Sequence, residues 1–152
     1  SEEELEANLV TKLAAIQNGG LAGHVVTQFS FDSGPIIRWI RWLRLRGITI
    51  PVHIGLAGPT SLMAWLNFAR KCGVKASAEA LANQSGLIKR AFKSVAPDPI
   101  IRQLAAASQA EDLGHICPHL FAFGGIGATA QWAQPAIKGH IRLNNDGGYD
   151  SV

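Results

Sequence analysis

Two cysteines, one methionine, one tyrosine and only 16% charged residues leave this 152-residue sequence short of the groups that most often announce a function. Cys72 and Cys117 have no CxxC partner and no histidines at metal-ligand spacing, so they read as two reduced thiols half in the core. The five histidines, His24, His53, His115, His119 and His140, are likewise not spaced as a zinc site, and His53 and His119 alternate with apolar neighbours as structural residues do; no metal is expected. No apolar run approaches the ~18 residues that a membrane span needs. No basic segment followed by an apolar one opens the sequence, and a soluble, cytoplasmic protein without a membrane partner is expected. A nucleophile elbow, a P-loop and paired carboxylates are all missing, which sets aside acyl and phosphoryl transfer and assigns no catalytic residue.

What is present is enough apolar material for a core. At 47% hydrophobic the composition is that of one globular domain. The formal charge of +3 comes largely from Arg38, Arg41, Arg44 and Arg46. They are interleaved with Ile36, Ile37, Trp39, Ile40, Trp42, Leu43 and Leu45 at helical spacing, which makes one wet face and one buried face. No groove-reading motif accompanies them, so nucleic acid is not expected; small ligands bearing phosphate or carboxylate remain open.

Periodicity and punctuation divide the chain. Glu3–Gln17 reads as a helix through Leu5, Leu9, Leu13 and Ile16, stopped by Asn18-Gly19-Gly20. Ser1–Glu6 already looks like a helix start in mid-element, which points to a piece of a longer chain. A strand is expected at about residues 24–29, where Val25, Val26, Phe29 and Phe31 are β-branched or aromatic. Asp32-Ser33-Gly34-Pro35 then opens the arginine-bearing helix, to about residue 46. Ile48–Leu56 reads as a second strand with Pro51 near its start. Thr60 is expected to cap a helix carrying Leu62, Met63, Trp65, Leu66, Phe68 and Ala69 and ending at Cys72-Gly73. One or two short helices are expected between Ser77 and Ala96, with Leu81, Leu87, Ile88, Ala91 and Phe92 inward. A longer helix starts at Pro97-Asp98-Pro99 and runs to about Leu113. Ile116–Phe123 is a third strand, followed by Gly124-Gly125-Ile126-Gly127 and a short helix at Ala128–Ile137. Residues 1–143 form the folded domain, and the polar, glycine-rich residues 144–152 read as a flexible tail.

Three strands, each followed by a helix, predict an α/β fold of parallel βα units. In such units ligands gather beyond the carboxyl ends of the strands, where Thr27 and Gln28 fall. Three strands are too few to close a barrel of eight, so the alternatives are a small open sheet or the last part of a larger barrel.

TQFSFD at 27–32, GITIPVHIGL at 47–56, NFARKCGV at 67–74 and HLFAF at 119–123 resemble the carboxyl-terminal third of the methylenetetrahydrofolate reductase barrel, over about residues 9–134. The resemblance implies the last three strands of a (β/α)8 barrel, a partial barrel. It also implies a role in the FAD-dependent reduction of methylenetetrahydrofolate to methyltetrahydrofolate with NADH or NADPH as donor. By position, Gln28 matches the family's glutamine that hydrogen-bonds the pterin ring; a carboxamide has the donors and acceptor for that edge. The other reading of Gln28 is an amide satisfied by neighbouring backbone. Phe68 matches a phenylalanine packed on the bound folate or nicotinamide, and reads equally as core at helical spacing with Trp65 and Ala69. Asp32 also matches, though capping alone explains it.

The sequence departs from the family at Ala64, where a folate-touching glutamine is usual, and at Gly124-Gly125, in place of an Asn-Arg pair whose arginine helps hold the ligand. The glycines could instead let backbone N–H groups approach a ligand. The family's catalytic glutamate and most of its FAD contacts come from earlier strands that this chain does not contain. The expected partners are therefore a folate or pterin and the remainder of the barrel or a second copy of the chain, with no turnover by the chain alone. A non-catalytic module that binds a pterin or completes its sheet with a partner is the alternative, since unpaired edges favour association.

Overall fold

The computed structural model describes residues 2–73, 94–145 and 147–152. The first helix, α1 (Glu2–Asn18), is followed by the short strand β1 (Val25–Val26) and by α2 (Ser33–Leu45). Strand β2 (Val52–Ala57) leads through a two-residue strand, β3 (Thr60–Ser61), into α3 (Leu62–Lys71). After residues 74–93 come β4 (Ser94–Val95), α4 (Asp98–Ala110), β5 (Ile116–Phe121) and α5 (Ile126–Ile137), then the strands β6 (Ile141–Leu143) and β7 (Tyr149–Ser151).

The α/β class follows from the central sheet, in which β1, β2 and β5 lie side by side in that order and all run parallel. Parallel neighbours need crossover connections, and α2 and α4 supply helices for them. In strand β2, Val52, Ile54 and Leu56 are buried under the helices; on the opposite face His53 is half-buried, and Gly55 and Ala57 are buried. Ile36, Ile40 and Leu43 of α2 and Leu104 of α4 meet the first set, with Leu113, in one core, and Leu9 of α1 packs against it. Residues 36, 40 and 43 recur at helical spacing, which is why this face of α2 and not the arginine face turns inward. Ser33 at the start of α2 donates to Gln103 of α4, tying the two helices at their edge.

Several expectations are corrected. The cap of α3 is Ser61, whose hydroxyl accepts from Ala64 N, because Thr60 is engaged in antiparallel pairing with Val95. Ser94 and Val95 are strand, not helix; the helices expected earlier in Ser77–Ala96, with Leu81, Leu87, Ile88, Ala91 and Phe92, lie outside the described residues. The helix starting at Asp98 stops at Ala110, short of Leu113. Residues 149–151 of the expected tail pair antiparallel with 141–143, and Arg102 donates to the carbonyls of Asn144 and Gly148 at the turn. Backbone pairing and a cation on two carbonyls order a polar segment that has no hydrophobic pattern to reveal it.

Arg44 is a further correction, since it does not belong to a solvated face. Its Nε donates to Leu113 O at 2.8 Å and its Nη1 to Ile48 O at 2.6 Å and Ile50 O at 3.2 Å. The guanidinium thus gathers the backbone that leads into β2 and β5, and burial lowers its pKa against the opposing pull of Asp112. Arg38, Arg41 and Arg46 do face solvent; Arg41 pairs with Glu111 of the loop after α4, and Arg46 lies 4.1 Å over the Trp42 ring.

Candidate functional site

The carboxyl ends of β1, β2 and β5 form one rim, and the path of β1 decides which side chains reach it. Val26 pairs with His53 and Ser30 bridges to Leu56, so four steps along the first strand meet three along the second. One extra residue in the pairing is a bulge, and a bulge reverses which side chains point to which face. Regular pairing therefore covers only Val25–Val26 of the strand expected at residues 24–29. Val26, before the bulge, is paired with His53, and past it Phe29, 2% exposed, meets Phe121 on that same face, while Gln28 is exposed.

Thr27 and Gly55 hold the bulge in place. Gly55 N donates to Thr27 Oγ1 at 2.9 Å, and the same hydroxyl donates to Gln28 O at 2.9 Å. A Cβ at position 55 would stand 2.5 Å from Thr27 O and 2.8 Å from the carbonyl carbon and oxygen of Gln28, so only glycine admits this approach. Gln28 Oε1 accepts from the adjacent Phe29 N at 3.1 Å, which leaves the amide Nε2 without a hydrogen-bond partner among the described residues. The neighbouring-backbone reading of Gln28 is thus true of its oxygen alone.

Phe68 of α3 comes to the same rim through a chain of rings. It lies flat on Phe123, with centroids 4.3 Å apart and planes 11° apart. Phe123 meets Phe29 edge-on at 4.9 Å, and Phe29 also meets Phe31 and Phe121. One face of Phe68 is therefore spent on packing, and the ring is half-buried. Asp32 is accounted for by capping: its Oδ1 accepts from Gly34 N at 2.8 Å.

The glycine turn after β5 has a packing explanation. A Cβ on Gly124 would overlap the carbonyl oxygen of Pro59, and Gly125 has φ 99°, a conformation in which an L side chain is strained. A Cβ on Gly58 would stand 2.7 Å from the Thr129 hydroxyl and 3.2 Å from Phe121 O, so the segments after β2 and β5 interlock. Sequence reasoning singled out these glycines for ligand approach; the contacts they make are to protein backbone and to Thr129. The signal it missed was Gly55 inside an apolar strand, the usual mark of a close backbone neighbour.

Along β1, the edge strand of this sheet among the described residues, runs an open cavity of about 450 Å³, walled mainly by Val25, Val26, Phe29, Pro35, Ile36 and Trp39, with Thr27, Gln28 and Ser30 as its polar members. A smaller one, about 170 Å³, lies near the other edge of the sheet against Ile101, Leu104, Ile116 and Pro118. The sheet face opposite the helices carries His53, Cys117 and His119, with Cys117 half-buried and Cys72 exposed as free thiols. Among the described residues no group of three or more His, Cys, Asp or Glu is arranged to hold a metal, and no helix is long and apolar enough to cross a membrane. Compared with models of known protein families, the chain matches none.

Proposed function

We propose that this chain is the folate-binding, carboxyl-terminal portion of a methylenetetrahydrofolate reductase-like flavoprotein barrel, and that it does not turn over alone. The observation that carries the reading is the position of Gln28. It stands just past the carboxyl end of a parallel strand, exposed, with its Nε2 free among the described residues and its backbone fixed against Gly55. That is where ligands gather in parallel βα folds. Among the described residues α2 and α4 pack on one face of three adjacent parallel strands, which supports a barrel-like winding, since open doubly wound sheets carry helices on both faces.

In this reading the Gln28 amide pairs with the edge of a pterin. The cavity that Gln28 lines is walled by Val25, Val26, Phe29, Pro35, Ile36 and Trp39, Phe68 reaches the rim through Phe123 and Phe29, and Thr27 with Gly55 holds the amide's backbone in position. The family's ligand-holding arginine has no counterpart: Gly125 stands in its place with φ 99°, a conformation that strains an L side chain. The amide must then carry more of the orientation. A flavin dinucleotide does not fit the described residues by themselves. The groove beside β1 is mostly apolar, and the nearby N-terminus of α2 is already closed by the Asp32 carboxylate, which repels a pyrophosphate. FAD and the NADH or NADPH that reduces it belong, in this reading, to strands outside the chain.

Titration of the purified chain with methyltetrahydrofolate, followed by tryptophan fluorescence, tests the assignment. Saturable binding that weakens by about tenfold in Gln28→Ala, with unchanged unfolding, is expected. No binding by the parent, or binding indifferent to the substitution, would overturn it. Addition of FAD tests the second half: a stoichiometric bound-flavin spectrum with reductase activity is the contrary result.

The second reading, a non-catalytic module that binds a pterin or completes its sheet with a partner chain, is favoured by the cavities near both edges of the sheet. A mass of 16.2 kDa in solution with one sharp unfolding transition counts against it.

A further inference from the structure

The sheet face opposite α2 and α4 carries a cluster that the folate reading does not use. The rings of His24 and His53 lie stacked with centroids 4.1 Å apart and planes 21° from parallel. His24 precedes β1 and His53 sits in β2, directly across from Val26, so the stack bridges the two strands beside their only regular pairing. We propose that the stacked His24–His53 pair is an acid-sensitive latch that holds β1, and with it the Thr27–Ser30 segment, against β2.

Little else binds these strands together. Besides the two-residue ladder itself, Val25 N donates to Pro51 O, Thr27 N to His53 O and Ser30 N to Gly55 O, and Gly55 N donates to the Thr27 hydroxyl. A seam this short is sensitive to one added repulsion. Two neutral imidazoles stack favourably, and a neutral ring tolerates a cationic one, but two cations at this separation repel.

The groups that face His53 offer no relief. His24 lies on it, His119 and His115 act on it from β5 and the loop before β5, and Cys117 of β5 is its register partner. Among the described residues the charges acting on His53 are the imidazoles of His24, His119 and His115. Partial burial, followed by these three histidines, holds His53 below its ordinary value of 6.5. A group whose folded pKa is depressed in this way favours the folded state while neutral. The stabilisation is complete above the ordinary imidazole value and is lost as the pH falls below it, because the released strand takes up protons that the paired one refuses. The proton balance is simple: imidazoles bind solvent protons, and no bond is made or broken elsewhere. Opening at β1 would release the Thr27 hydroxyl from Gly55 and free the backbone that presents Gln28.

The latch is tested on the full chain by amide hydrogen exchange and by imidazole NMR titration between about pH 7.5 and about pH 5.5. After correction for the intrinsic exchange rate, protection at Val25, Thr27 and Ser30 should fall by about tenfold or more on acidification, while the β2–β5 amides keep theirs. His53→Phe and His24→Phe keep an aromatic stack without two cations in contact; His53→Phe should abolish the pH dependence of the β1 amides, and His24→Phe should reduce it, since burial still opposes charge on His53. Protection that stays level with pH in the parent, or falls equally in both variants, would overturn the proposal. Should a variant not fold, the parent's own titration decides: a His53 that protonates at or above the ordinary imidazole value is incompatible with a latch.

Discussion

Gly55 and Thr27 meet across the β1–β2 seam with no side chain between them. The Gly55 N–H donates to the threonine hydroxyl at 2.9 Å, and a methyl group on the glycine would lie 2.5 Å from the threonine carbonyl oxygen. The bulge that turns Gln28 outward and Phe29 inward rests on this contact.

Gly55→Ala should therefore act on the site and on stability together. Forcing a Cβ into backbone that cannot yield costs about 1–3 kcal/mol. The substitution is expected to lower the denaturant midpoint and to weaken folate binding. Gly47→Ala, where an added Cβ meets nothing but φ is +71°, is the control: it strains a remote turn and should leave binding unchanged.

Gln28→Ala and Phe68→Ala are expected to separate binding from folding. Gln28 is exposed and bonds only its own neighbour, so its loss should move stability by no more than about 0.5 kcal/mol. It should weaken folate affinity by about tenfold, the worth of one hydrogen bond of about 1.4 kcal/mol. Phe68 stacks on Phe123, so Phe68→Ala should lose stability as well as any affinity. Chemical denaturation beside ligand titration reads both quantities.

Arg44→Met keeps the stem and removes the guanidinium. Three carbonyls, those of Leu113, Ile48 and Ile50, then lose their donor. At about 1–3 kcal/mol for each buried group left unpaired, and with water able to reach some of them, a loss of about 2–4 kcal/mol is expected in urea unfolding. Arg38→Met, on the exposed face of the same helix, should stay within about 0.5 kcal/mol of the parent.

Tyr149 predicts an alkaline limb. Its hydroxyl donates to Trp132 O at 2.6 Å, and burial, then the nearby Asp98, pushes its pKa up to about 12 from 10.0. The folded state favours the protonated phenol, so this contribution is complete below pH 10 and is lost as the pH rises through 10 towards 12. Thermal melts of the parent should show a decline over that interval which Tyr149→Phe lacks.

Much of the fold was readable in local pattern. The apolar spacing of Ile36, Ile40 and Leu43 marked the inner face of α2, Asp32 marked its cap, and alternation through Val52, Ile54 and Leu56 marked the side of β2 that meets the helices. These features depend on neighbours within a turn or a few strand residues, so sequence by itself determined them, along with the βα order that makes parallel strands the natural outcome. Tertiary structure decided the rest. The bulge at Thr27–Phe29 exists because of a glycine 28 residues away, the buried role of Arg44 depends on a carbonyl 69 residues away, and the polar end of the chain is ordered by strand pairing and by Arg102. Backbone carbonyls look alike in every sequence; which of them meet a given donor is settled only when distant segments pack, and that is why the outward turn of Gln28 had to be seen in three dimensions.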